Sequence, residues 1–313
     1  MTTETGNDNL NAIVVCEDKH LPQNLFLEAA ERAVAENPEN APSGAVDAKK
    51  LIGVGPQALE TFGALLTGKK WQNGRTIRAR HLNGDPNIHA KVEQFAKEWE
   101  KFANILFSFV PSGDTDIRIS YHLDNRSWSR LGTDALAFGQ DVETMHYGWL
   151  TPTTTDEEMR RTVVHEFGQA LGMYHEQQNP EVVINWNKPV VYRYYIERLG
   201  WTKADVDHNL FAPIDKAASQ FDEYDRHSIM HYPVPPEFTT DGVSVGWNLV
   251  MSDIDKRFIA RVYPKASPAD ALPPPQDMAP PGAERESERR LQAKWGATDE
   301  PRLTVAGRGG VAA

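Results

Sequence analysis

Apolar residues recur along this chain with two different periods, and the change from one to the other marks out its elements. At Thr76–His81, Ile77 and Ala79 alternate with Arg78 and Arg80, the period of a half-buried strand. The loop Asn83–Pro86 then opens a stretch in which Ile88, Val92, Phe95, Ala96, Trp99 and Phe102 recur at helical spacing, predicting a helix with one buried stripe. Ile105–Val110 and Asp116–His122 read as two further strands, the second carried by Ile117, Ile119 and Tyr121, and Thr144–Leu150 as another. Thr155 to Glu158 supply a polar cap and first-turn acids, the start of a second helix. Nearer the N-terminus, Gln23–Asn37 predicts an amphipathic helix through Leu25, Leu27, Ala30 and Val34, and Gln57–Leu66 a second. Strands with one backing helix, followed by a further helix, indicate an α+β fold.

Composition adds boundaries to this pattern. Of 313 residues, 40% are hydrophobic and 25% charged, ordinary usage for a chain that buries a core. The longest apolar runs, such as Phe102–Val110, are far short of a bilayer span, so no membrane association is expected. A net charge of −11 argues against a nucleic-acid partner, because phosphate contact needs a basic face. That charge is uneven: residues 1–60 hold ten acidic and four basic side chains, whereas the last 49 residues hold seven of each. The last segment also holds seven of the 21 prolines and few large apolar anchors. Three regions follow: an acidic, partly helical segment over 1–69, a compact domain over 70–264, and a Pro-rich disordered tail over 265–313. The opening MTTETGNDNL has neither a basic nor an apolar leader region, so a cytoplasmic location is expected, with leaderless secretion as the alternative. The single cysteine, Cys16, excludes an intrachain disulfide and any multi-cysteine metal site.

Candidate chemistry concentrates in Val163–Pro180, VVHEFGQALGMYHEQQNP. On a helix, His165 and residue 169 share one face. Gly172 suits the left-handed turn that ends a helix and swings the chain back, bringing His175 near the same point. Two histidines, a third helical position and a glutamate beside the first histidine form the pattern of an open catalytic zinc site, with Glu166 as general base. The third position is Gln169, a neutral and weaker donor than imidazole, which predicts weakened metal binding and impaired turnover. His146, His231 and Glu176 are the neighbouring donors that could compensate.

A second motif, Tyr224–Tyr232, ends in SIMHY. Together with His165, Glu166, Gly172, His175 and Glu176 it resembles the Met-turn and zinc signature of the metzincin metallopeptidases, in their astacin-like branch. Trp71–Gly74, HLNGDP, DIRIS at Asp116–Ser120, TMHYGW at Thr144–Trp149 and SDIDKRFIARVYP at Ser252–Pro264 extend the resemblance over about residues 70–264. It implies a twisted mixed sheet with a backing helix and an active-site helix, and a smaller C-terminal subdomain containing the Met-turn. It implies zinc held at His165 and His175, with Gln169 in the middle ligand's place. It also implies Glu166 as base, Tyr232 stabilising the oxyanion, Met230 as an apolar floor, and Thr144–Leu150 as the edge strand that pairs with an extended peptide. In the family Glu176 organises the processed N-terminus.

The resulting expectation is a zinc-dependent metalloendopeptidase acting on peptide or protein substrates by proteolysis. The alternative, from another class, is a pseudopeptidase that binds extended peptides without cutting them. Cys16, in the apolar run IVVC, is expected to be a half-buried structural thiol, with a latency role, its sulfur on the metal, as the rival reading. Trp149 is the one tryptophan expected to shape a substrate subsite. The remaining histidines, His20, His81, His89, His122, His208 and His227, are expected to be structural.

Overall fold

The computed structural model describes residues 15–19, 21–41, 68–214 and 223–266. The helix expected at Gln57–Leu66 and the whole Pro-rich tail beyond 266 lie outside them.

The alternating segments form a six-stranded mixed sheet in the order β1-β5-β6-β4-β2-β3, from β1 (Val15–Cys16), β2 (Thr76–His81), β3 (Leu106–Phe109), β4 (Ile117–Tyr121), β5 (Arg126–Ser129) and β6 (Met145–Tyr147). The central pairings β2–β3, β2–β4 and β4–β6 are parallel, β5 returns antiparallel to β6, and β1 adds parallel to β5. Two differences from the sequence reading bear on function. β6 is not an edge strand: β5 lies outside it, and β1 from the N-terminal segment covers β5. The RSWS run of β5 escaped notice because Ser127, Trp128 and Ser129 are all buried, so no apolar–polar alternation survives to mark a strand.

Helix α1 (Phe26–Glu36) occupies the stretch expected near the N-terminus. Helix α2 (Pro86–Ala96) begins where the loop predicts, with Pro86 in the first turn and the Asp85 carboxylate accepting from the Asn87 N–H. Helix α3 (Asp156–Ala170) is capped by the Thr155 hydroxyl, which accepts from the Glu158 N–H, and carries three acids in its first turn. From Arg161 onward every residue of α3 is buried, because it packs between the sheet and the C-terminal half of the chain. The main core joins Ile77, Ile117, Ile119 and Met145 of the sheet to Val92 and Phe95 of α2 and Val163 and Phe167 of α3. A second apolar cluster gathers Val191, Tyr194 and Tyr195 of α4 (Lys188–Leu199) with Trp201, Leu210, Phe238 and Tyr232. The short α5 (Lys203–Val206) and α6 (Asp253–Val262) complete the described fold, and none of its helices is long and apolar enough to cross a membrane.

The end of α3 is anchored by aromatic donors that the hydrophobic pattern alone reads only as core. The Trp71 indole donates to the Ala170 carbonyl at 2.7 Å, and the Tyr263 hydroxyl donates to the Leu171 carbonyl at 2.8 Å while accepting from the Trp71 N–H. These bonds satisfy carbonyls that a helix C-terminus leaves open. Tyr263→Phe keeps the packing and removes both bonds, so urea denaturation is expected to show a loss of about 1–3 kcal/mol.

His81 of β2 stacks on His89 of α2 with ring centroids 3.9 Å apart, beside Tyr121 and Glu93. Burial, reinforced by the neighbouring His89, lowers its pKa from 6.5 to about 3. The native state therefore refuses a proton that the unfolded chain accepts, and stability present above pH ~6.5 is lost as the pH falls toward 3. In His81→Phe the fall in unfolding free energy between pH 7 and 4 is expected to be shallower than in the unaltered chain.

Candidate metal centre and catalytic cleft

Helical spacing places His165 and residue 169 on one face of α3, and the turn after the helix returns His175 to it. Gly172 adopts φ 92°, the left-handed conformation expected of it, while the Met173 N–H bonds back to the Gly168 carbonyl. His165 Nε2 and His175 Nε2 end 3.2 Å apart. His165 is oriented by the Met-turn, since its Nδ1–H donates to the Ile229 carbonyl at 2.8 Å. That bond leaves Nε2 of His165 as an acceptor facing its partner.

Gln169 holds the third position in an unexpected way. Its amide nitrogen donates to His175 Nε2 at 2.8 Å, and its oxygen accepts from the Ser129 N–H of β5 at 3.2 Å. With Gln169 donating to it, His175 Nε2 is an acceptor too. Two lone pairs then face each other at 3.2 Å in a buried site, an arrangement that a cation between them relieves. Tetrahedral zinc with bonds of 2.0–2.1 Å separates two nitrogens by about 3.3 Å, so the pair fits such an ion.

Cys16 brings a third potential ligand atom to the pair. Its sulfur and the two imidazoles form a buried set whose ligand atoms all lie within 4.8 Å of one another. The thiol lies 3.2 Å from Glu166 Oε2 and 3.3 Å from Gln169 Oε1. Cys16 is buried where a half-buried thiol was expected, and β1 carries it beside both imidazoles. Spacing could not reveal this, because 149 residues separate Cys16 from His165 and the pairing of β1 with β5 is what brings them together. The other candidate donors are engaged elsewhere. His146 pairs with Ser120 and Asp124, His231 with Tyr224 and the Tyr232 carbonyl, and Glu176 accepts from the Asp225 N–H and Asn179.

Glu166 is 1% exposed, and its Oε1 has no hydrogen-bond partner. Burial raises its carboxyl to about 8, partly opposed by the Cys16 hydrogen bond and by Arg161. Burial lowers both imidazoles, His175 to about 4, and raises the Cys16 thiol, with Glu166 adding to the last effect. Tyr232, also buried, donates its hydroxyl to the Cys16 carbonyl. Met230 packs directly under α3: a Cβ at Gly168 would stand 2.5 Å from its sulfur, so only glycine permits this approach.

The Met-turn itself is held by a residue that sequence reading passed over. Asp255 of α6 accepts from the Ser228 hydroxyl at 2.6 Å and the Ile229 N–H at 2.8 Å, while also closing its own helix cap with Ser252. The capping pattern around Ser252 was legible, but its second use depends on a contact across the chain. The cleft beside the histidines is lined by Cys16, Trp149, Arg161, Thr162, Tyr232, Pro233 and Trp247, among others. With Cys16 in place it encloses only about 10 Å³, room for little more than a water molecule.

The site thus sets paired imidazoles beside a buried carboxyl at the mouth of a narrow cleft. No family model matches the chain, and no curated protein matches it. Among solved structures, one of myroilysin is 47% identical, covering 64% of this chain and 97% of its own, with a TM-score of 0.62. A crystal structure of myroilysin is 46% identical, covering 63% and 87%, with a TM-score of 0.52. The chain belongs to the astacin-like metallopeptidases.

Because Cys16 is buried, it is expected to react with an aromatic disulfide reagent near pH 8 about a hundredfold more slowly than in the denatured chain. Thiol titration before and after unfolding checks this.

Proposed function

We propose that this chain is a zinc-dependent metalloendopeptidase and that the described arrangement is its closed form. The observation that carries the reading is the facing pair His165 Nε2 and His175 Nε2, 3.2 Å apart, with Glu166 adjoining. His165 and His175 would hold the ion, and Cys16 supplies the third protein donor while β1 is seated. Zinc bound there supplies Lewis-acid activation of water and of the scissile carbonyl. Glu166 takes the proton from the attacking water and passes it to the departing amine. Tyr232 donates to the oxygen on which negative charge develops, a role supported by its present bond to the Cys16 carbonyl. β5, in the position the sequence reading gave to Thr144–Leu150, would pair with an extended peptide or protein substrate once β1 leaves.

One observation favours the binding-only alternative. The Gln169 oxygen is engaged by Ser129, so the middle ligand position offers no donor as placed. In this chain Cys16 therefore both blocks the cleft and completes the donor set that Gln169 leaves short.

These roles separate in one set of variants. The purified full chain is expected to retain about one zinc. Glu166→Gln is expected to keep that zinc and lose roughly 10²–10⁴-fold in peptide hydrolysis. Cys16→Ser should weaken zinc retention by about tenfold or more, and adding Gln169→His should restore it, as a recovered imidazole ligand must. Zinc is read by elemental analysis after graded chelation, and turnover with fluorogenic peptides. Zinc-loaded protein that cuts no peptide in the unaltered, Cys16→Ser or Cys16→Ser/Gln169→His forms would establish the pseudopeptidase instead. Zinc that is lost from the unaltered chain as readily as from Cys16→Ser would remove Cys16 from the donor set.

A further inference from the structure

The chain that carries Cys16 into the cleft is gripped from two sides. On one side is β5, whose Ser127 carbonyl accepts from the Glu17 N–H at 2.8 Å. On the other is a π-helical turn, Asp207–Phe211, that directly follows α5 and carries Asn209. Asn209 is buried, and its side-chain oxygen accepts from the Asp18 N–H at 2.7 Å. Successive N–H groups of an extended chain point to opposite sides. Here one goes to the strand and the next to Asn209.

The other atoms of Asn209 fix it for this contact. Its amide nitrogen donates to the Asp205 carbonyl at 2.9 Å, which sets the plane of the carboxamide and the direction of its oxygen. Its backbone carbonyl accepts from the Gln177 amide at 3.1 Å, and Gln177 Oε1 accepts in turn from the Tyr232 N–H at 3.2 Å. Gln178 donates to the His208 and Ala212 carbonyls at 2.6 and 3.2 Å, one on each side of Asn209. The π-helical turn is thus tied to the residues just after His175, and Asn209 keeps a set position relative to the paired imidazoles. Such turns are rare and recur at functional sites. None of these bonds uses the carboxamide oxygen. A buried acceptor left without a donor is costly, so whatever takes the place of β1 is favoured when it brings an N–H to the same point.

We infer that Asn209 is a substrate-binding residue that accepts a main-chain N–H of the peptide from the side opposite β5. The inference rests on the peptidase reading and adds a second main-chain anchor to the strand pairing described there. Asp18 lies two residues from Cys16, about 7 Å along an extended chain, which puts the anchored residue near the second position from the scissile bond. A bond to the main chain carries no side-chain information, so it fixes the path of the peptide and leaves the side chain at that position unselected.

The test uses zinc-loaded full-length chain carrying Cys16→Ser and Gln169→His. Its substrates are fluorogenic peptides of one sequence in which an ester oxygen replaces a single N–H, at each non-scissile position over three residues on either side. Strand pairing alone takes N–H groups from every second residue, so on its own it gives an ester penalty in kcat/KM that alternates along the peptide. With Asn209 as a second acceptor, one intervening position is expected to lose about three- to tenfold as well. Asn209→Ala should abolish that loss and leave the strand-facing penalties standing, whereas a purely structural Asn209 would affect all the peptides alike. Penalties confined to alternate residues overturn the assignment, and so does an intervening penalty that persists in Asn209→Ala. The first comparison needs no change at Asn209, so a variant that fails to fold leaves it decisive. If no peptide is cut, the peptidase reading has failed on its own account. Asn209 is then judged by binding of the same peptides, fluorescein-labelled, to full-length chain carrying Cys16→Ser and Glu166→Gln, read by fluorescence polarisation. An intervening loss of affinity sustains the role, and its absence, or the failure of every peptide to bind, refutes it.

Discussion

Two imidazole nitrogens facing each other at 3.2 Å in a buried site are the constraint around which this molecule is organised. Left alone they repel, and neither can escape into water. The fold holds them there by separate devices: the Ile229 carbonyl fixes one ring, and the reversal at Gly172 with the Gln169 amide fixes the other. Each device leans on another part of the chain. The Met-turn that presents Ile229 hangs from Asp255 on α6, and the end of α3 is tied by Trp71 and Tyr263. Elements from residue 71 to residue 263 thus converge on one pair of atoms, and a cation at that point would offset the cost of bringing them together.

The N-terminal strand has to be understood against the same pair. β1 extends the sheet by only two residues, too few to be held by its ladder alone. It is held also by what Cys16 meets, a carboxyl, a carboxamide, two imidazoles and the Tyr232 hydroxyl, and by the Asp18 N–H, which donates to Asn209. A site with three histidines could dispense with such a contact once formed. Here Gln169 turns its oxygen to Ser129 of the strand that β1 covers, which ties the position between the two histidines to the edge on which Cys16 sits. The acidic N-terminal segment is in this sense part of the site and not only a flank.

Much of this was legible in the sequence wherever the information was local. Helical spacing located α3, a glycine announced the reversal, and His165, Glu166 and His175 are together in space as the pattern requires. Three things were not legible, each for a physical reason. β5 lacks alternation because both of its faces are covered. Cys16 reaches the site only through strand pairing across more than a hundred residues, and the apolar IVVC context describes its burial equally well without chemistry. Asp255 and Trp247 act across tertiary contacts, and nothing in their immediate neighbours distinguishes them from an ordinary cap and a surface aromatic.

Those long-range contacts divide the labour within α3. Its buried C-terminal half carries His165, Glu166 and Gln169, whose spacing brings them to one point beside Cys16 and His175. One turn earlier, Glu158, Arg161 and Thr162 form a separate hydrogen-bonded group with Trp149, and Trp247 stacks on it. The two groups are not independent, because the Arg161 charge opposes the upward push that burial gives the Glu166 carboxyl. One rigid helix therefore couples the hydrogen-bonded group around Glu158 to the residues that gather at the facing imidazoles.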